Sequence, residues 1–234
     1  MGALIVTLPV TIWPAYMFLA LEHDVYYLAA SARMSLAVNA VSAIFMFAYL
    51  LLAQKRGLLA SLLPAIVVWI VLAWLTRSIE WSVYAASAVN LVAYSACLVM
   101  SRRFREVRAP HVARQWYELP LRTALVCALM GAVLALSHWA GPDATGMLAA
   151  YPVSTTSTML IVHTRIGGRA SAAVIANGLW GMIGIALGLL AFSATILPFG
   201  KGLALTLTLI VPVAWNASVW LGRHRGARAL APRR

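Results

Sequence analysis

Ser154, Thr155, Thr156, Ser157 and Thr158 stand in succession behind Pro152, within the stretch AAYPVSTTSTMLIVH at 149–163. Hydroxyls in a run can hold a small polar or anionic group, provided the backbone frees donors beside them. Proline supplies that condition. It has no N–H and its ring clashes with the preceding turn, so a helix through this stretch is expected to kink or break around Gly146–Pro152. The residues after the break then start a fresh helix, with unpaired amides and a positive dipole end. Ser154 and Thr155 are the expected caps. Thr11 follows Pro9-Val10 as Ser154 follows Pro152-Val153. The expected solute-facing set is therefore Thr11, Ser154, Thr155 and Ser157, joined by the apolar-segment polar residues Asn177 and Asn216 and by the deep Trp180. His163 is the proton-coupling candidate, because imidazole titrates near neutral pH. The competing use of the hydroxyls is structural: Ser and Thr in membrane helices bond to their own i−4 carbonyls and let helices approach closely.

The elements that carry these residues follow from composition. The chain of 234 residues is 63% hydrophobic and 10% charged, with a mean hydropathy of +0.87. Such an apolar excess cannot cover a water-facing surface. The expected fold class is an all-α polytopic membrane protein in one integral membrane domain over 1–234. Eight apolar stretches are long enough, or nearly so, to cross about 30 Å of hydrocarbon: 3–21, 34–53, 57–75, 82–100, 120–139, 146–163, 171–192 and 202–221. They are continuous runs without alternation, which excludes a closed barrel.

Charge placement orients them. With both termini cytoplasmic, Lys55, Arg56, Arg102, Arg103, Arg105, Arg108, Arg114, Arg122, Arg165, Arg169 and the five tail arginines fall inside, 15 of the 18 basic residues. Only Arg33, Arg77 and Lys201 fall outside. That is the positive-inside pattern, and a multi-pass plasma (inner) membrane protein is expected. The net charge of +12 is thereby spent on topology and anionic headgroups rather than nucleic acid. The basic tail 222–234 belongs to the same cytoplasmic face.

Chemistry of other kinds lacks its residues. Cys97 and Cys127 lie inside spans, no Cys/His cluster has metal spacing, and no nucleophile–base–acid set stands out. No catalytic residue, metal or cofactor is expected. Glu22, His23, Asp24 and Glu80 are the only carboxylate-rich group, read as solvated loop charges. Most tryptophans, Trp69 among them, are expected as interfacial anchors, with Trp180 and Trp215 deeper.

An internal repeat adds architecture. RMSLAVNAVSAIFMFAYLL at 33–51 lies over RASAAVIANGLWGMIGIAL at 169–187, and LPVTIWPAYMFLAL at 8–21 lies over YPVSTTSTMLIVHT at 151–164. Pro64 and Pro212 extend the match into the third and eighth spans. Repeat 1 covers about 3–75 and repeat 2 about 146–221, with central helices over about 82–139. Corresponding spans lie five steps apart, so helices 1–3 and 6–8 are an inverted pair, a construction typical of secondary transporters. Gly178, Gly181, Gly184 and Gly188 form a small-residue face suited to close packing or a homo-oligomer.

The pieces WPAYMFLALEHD with RMSLAVNAVSAIFMFAYL, and AAYPVSTTSTMLIVHTRIGG with AVIANGLWGMIGIALGLL, resemble the small GlpM-like inner-membrane proteins. In that family a Pro-containing span ends near a His and a Trp-bearing span follows. Pro152, His163 and Trp180 match in the second half; Pro14 and His23 stand in the first, with Phe45 where a Trp would be. The resemblance implies a fused, inverted pair of such units. The expected function is a secondary transporter or permease moving a small polar or anionic solute across a bacterial-type inner membrane. The alternatives are a non-catalytic accessory or structural subunit and an integral-membrane enzyme of envelope or lipid metabolism. Expected partners are membrane lipids and the small-molecule solute.

Overall fold

The computed structural model describes residues 12–105 and 116–229, with side chains as far as Gly222. Among them all regular structure is helical: α1 (Ile12–Glu22), α2 (Val25–Leu52), α3 (Leu58–Arg77), α4 (Val83–Met100), α5 (Glu118–Ser137), α6 (Gly141–Ala149), α7 (Val153–Ile166) and α8 (Gly168–Ala229). A 3-10 turn at Arg102–Phe104 follows α4. Local chemistry sets several boundaries. The Asp24 carboxylate caps α2 by accepting from the Tyr27 amide at 2.8 Å, and the Ser82 hydroxyl caps α4 from Ala85 at 3.1 Å. Gly200 divides α8 into limbs 168–199 and 201–229, with φ 79° and ψ −178°, a conformation open to glycine alone.

α2 is the axis of the bundle. It is buried along most of its length, and α3, α4, α6 and α8 pack around it. Beyond α2, the outward faces of α3 and α4 expose Leu63, Val67, Ile70, Trp74, Leu91 and Val92. An apolar surface of that extent belongs against lipid. α2, α3, α4, α5 and α8 are long and apolar enough to cross a membrane. Each limb of α8 also exceeds the roughly 20 residues that a span needs. Of the expected first span, 3–21, residues 3–11 lie outside the described residues and α1 covers the rest; the expected sixth is divided into α6 and α7 of 9 and 14 residues.

The helices run back and forth between two ends. At one end Glu118 of α5 pairs with Arg165 of α7, and Gly168 abuts the Ala53 carbonyl so closely that a Cβ would fall 2.1 Å from its oxygen. Lys55, Arg56, Arg102 and Arg103 lie at this basic end. At the opposite end Ser31 donates to the Pro142 carbonyl at 2.9 Å, and Lys201 donates to the carbonyls of Ala20 and His23, each at 2.7 Å. Glu22 and Asp24 are both exposed there. Glu22 lies 3.5 Å from His138, and His23 stacks on Tyr27 and bonds Ser137.

The glycine face is occupied from within the chain. A Cβ on Gly184 would meet Trp215 Cδ1 at 2.9 Å, and one on Gly188 would meet Pro212 Cγ at 2.7 Å. The two limbs of α8 therefore pack glycine against proline and tryptophan, and Trp215 Nε1 donates to the Trp180 carbonyl at 2.7 Å.

Candidate functional site

The sixth segment is broken where its proline requires. α6 ends at Ala149, α7 begins at Val153, and Pro152 occupies the N-cap position with φ −80° and ψ 63°. Those angles make an inverse γ-turn, closed by the Val153 amide on the Tyr151 carbonyl at 2.8 Å. Ser154 and Thr155, expected as caps, do not cap: the turn places Pro152 there, and no side chain caps α7. The Thr156 amide returns to the Pro152 carbonyl at 2.9 Å. The amides of Ser154 and Thr155 have no partner among the described residues.

The hydroxyls divide between the two expected uses. Thr156 Oγ1 donates to the Pro152 carbonyl at 3.0 Å, Ser157 Oγ to Ser154 at 2.9 Å, and Thr158 Oγ1 to Ser154 at 2.7 Å. These are bonds back onto the same helix. Thr156 also reaches the Tyr151 hydroxyl at 3.3 Å, and Thr158 accepts from Arg122 of α5 at 3.2 Å. Thr155 is buried at 2% exposure, without a side-chain bond of this kind.

Side chains from two neighbouring helices back the break. Trp69 of α3 meets the Tyr151 ring edge-on at 4.8 Å, and its Nε1 donates to Ser42 of α2 at 3.2 Å. Ser42 in turn makes a long 3.5 Å contact with the Ala150 carbonyl, and Phe45 lies 6.5 Å from the Tyr151 ring. Trp69 is thus no interfacial anchor: it is 5% exposed, since its indole fills the space the break opens. The sequence signal was available in its mid-span position in α3, but only the fold places it against residues 150–151. Arg122, which the sequence places among the cytoplasmic charges, reaches Thr158 of α7 with its guanidinium.

The remaining expected residues lie elsewhere. Asn177 donates to its own i−4 carbonyl, Ala173, at 2.9 Å, and Asn216 to Pro212 at 3.0 Å. Trp180 sits below Arg105, whose guanidinium carbon is 5.9 Å from its ring centroid. None of the three joins the contacts made at 150–152. Thr11 and the Pro9-Val10 preceding it lie outside the described residues.

His163 holds a separate junction. Its Nδ1 is 2.8 Å from Tyr49 Oη, which is also 2.8 Å from Ser171 Oγ. Three helices, α2, α7 and α8, meet through these side chains. The Tyr49 hydroxyl has one proton, so it donates either to the imidazole or to the serine. Protonating Nδ1 selects the second arrangement.

A further polar layer joins α2 to α4, where Asn39 Nδ2 donates to Asn90 at 2.9 Å and Asn90 donates to the Leu36 carbonyl at 2.6 Å. With both amides engaged, this layer reads as interhelical glue.

Comparison with known proteins adds no relative: no family model, curated protein or solved structure matches the chain.

Proposed function

We propose that the chain is a secondary transporter or permease for a small polar or anionic solute in a bacterial-type inner membrane. In this reading eight segments cross the bilayer with both termini cytoplasmic, and the first three and last three are inverted copies. The observation that carries it is the break at 150–152. Non-helical backbone at membrane depth is tolerated where protein buries it or where it lines a cavity. Here the break falls between the two ends of the bundle, and the helix that follows begins with the two amides of Ser154 and Thr155 unmatched. Half-helix starts of this kind hold anionic groups in transporters of inverted-repeat construction. Ser35 and Ser171, matched in the repeat alignment, are both buried and each bonds a tyrosine, Tyr16 at 2.7 Å and Tyr49 at 2.8 Å, but the two tyrosines are not matched positions. The alternating contacts at the basic and opposite ends support the eight crossings.

The test is uptake into vesicles containing the purified protein, across a panel of labelled amino acids, small carboxylates and phosphate esters. A transported compound should be bound several-fold more weakly by Thr155→Val, a loss of about 0.5–1.5 kcal/mol for one hydrogen bond. Saturable uptake unchanged in Thr155→Val and Ser154→Ala would remove the break from the path.

One observation favours a second reading, a non-catalytic structural or accessory subunit. Thr156, Ser157 and Thr158 bond back onto their own helix, as packing alone would require. Absence of uptake for the whole panel, with co-purification of a stoichiometric membrane partner, would decide for it.

A further inference from the structure

The end of the bundle opposite the basic loops carries few charges, and three of them have evident local work. Glu22 faces His138, Asp24 caps α2, and Lys201 holds the carbonyls of Ala20 and His23. Arg33, Arg77, Glu80 and Asp143 remain. All four line one cleft of about 330 Å³, walled on one side by Trp81. They reach it from three places: Arg33 from α2, Arg77 and Glu80 from the end of α3 and its following turn, and Asp143 from the first turn of α6. None of the four forms an ion pair among the described residues. In a chain with only six acidic residues, two of them share a cleft with two arginines and leave those arginines unneutralised.

We propose that this cleft binds a small zwitterion, its carboxylate or phosphate on Arg33 and Arg77 and its ammonium on Glu80 and Asp143. A guanidinium presents a planar fork that suits either anion. Two positive and two negative side chains sum to zero formal charge, so a plain anion or cation meets repulsion from two of the four charged groups, and only a ligand carrying both signs satisfies all four. The volume suits a molecule of amino-acid size. Arg77 in the last turn of α3 and Asp143 in the first turn of α6 also complement their own helix dipoles, which holds each in place while its charge faces the cleft. The same chemistry occurs in a free amino acid and in a phosphoethanolamine lipid headgroup. The cleft would serve the transport reading as its entrance, but binding here stands without it.

The experiment measures binding, not uptake, so its failure and a failure of transport are separate results. Purified protein in phosphatidylglycerol nanodiscs is titrated with glycine, phosphoethanolamine, acetate and methylammonium by calorimetry and thermal shift. Glycine or phosphoethanolamine should bind at least about tenfold more tightly than either single-charge probe. Arg77→Gln and Glu80→Gln, both at exposed positions, should each weaken that binding about tenfold without changing the melting temperature of the free protein. Repeating the titration in phosphatidylethanolamine nanodiscs distinguishes the sources. Suppressed binding assigns the cleft to the headgroup, and unchanged binding assigns it to the free solute. No preference for the zwitterions, or binding that survives in the Arg77→Gln/Glu80→Gln double variant, overturns the proposal.

Discussion

Two interruptions of helical backbone among the described residues, at 150–152 and at Gly200, have opposite surroundings. Gly200 lies between Phe199, 67% exposed, and Lys201, whose ammonium group ties the turn to the carbonyls of Ala20 in α1 and His23 just after it. Its backbone opens toward the end of the bundle, where water or headgroups satisfy freed groups. The break at 150–152 has no such recourse. It leans on α2 and α3, where Ser42 and Trp69 supply polar contacts, and Val153 closes the turn onto Tyr151. A break at an end of the bundle needs only a residue that tolerates the angles. One in the middle needs partners, and each partner is a candidate for function.

The largest difference between the regions should appear in glycine substitutions. Gly146 in α6 packs directly on the backbone of α2, and a Cβ there would fall 2.2 Å from the Ser31 carbonyl oxygen. Backbone cannot step aside, so Gly146→Ala should cost about 3 kcal/mol or more and remove most folded protein. At Gly200 a Cβ meets nothing within 4 Å, and only the positive φ is strained. Gly200→Ala should therefore cost about 1–3 kcal/mol. Gly57 provides the floor, since its φ of −67° is ordinary and its surroundings are open; as the N-cap of α3, where glycine outranks alanine, Gly57→Ala should cost about 0.5–1 kcal/mol. Monodisperse yield and melting temperature rank the three, and an inverted order would mean that α6 is not seated on α2 as described.

Gly184→Leu comes next. Trp215 Cδ1 and the Pro212 backbone crowd that position, so the limbs of α8 must separate and folded yield should fall by severalfold. Full yield with an unchanged melting temperature would place this face against lipid.

How far these regions were legible in the sequence differs in the same way. Pro152 announces its break because one residue's covalent chemistry decides it, and the apolar runs of α2 to α5 and the limbs of α8 follow from hydropathy. The partners of the break were not legible. Trp69 and Ser42 come from other helices, and residue types in an apolar run do not say which face meets which neighbour. The hydroxyl run suggested caps, yet an inverse γ-turn at Pro152 left Ser154 and Thr155 inside the helix. Asn177 and Asn216 look like cavity residues in a sequence, but each side-chain amide shares the backbone carbonyl one turn before it. The charged cleft was invisible for a related reason, since its residues lie up to 110 positions apart, from 33 to 143.

A smaller effect is expected at the His163 junction, and it discriminates between the ends of the bundle. If uptake is measured, its pH dependence should flatten in His163→Gln, because glutamine cannot switch the direction of the Tyr49 hydrogen bond. Glu80→Gln, at the opposite end, should alter apparent affinity but keep the pH profile. The reverse outcome would move proton coupling to the opposite end.

The smallest expected effect asks whether the break is supported as a unit. Trp69 Nε1 donates to Ser42, and Ser42 contacts the Ala150 carbonyl at the edge of hydrogen-bonding distance. Trp69→Phe keeps a ring against Tyr151 and removes only the donor, so it should cost about 0.5–1.5 kcal/mol. Ser42→Ala strands the buried indole N–H and should cost about 1–3 kcal/mol. If the contact is the link between them, Trp69→Phe made in the Ser42→Ala background has no bond left to lose and removes a stranded donor. The double variant should then be more stable than the sum of the single costs predicts, by about 0.5–1 kcal/mol, within the range for residues in contact. The same pair of substitutions tested against Gly200→Ala should add without coupling, because that break shares no partner with them. Additivity between Trp69 and Ser42 would mean that the indole supports the break through its ring contact with Tyr151 alone.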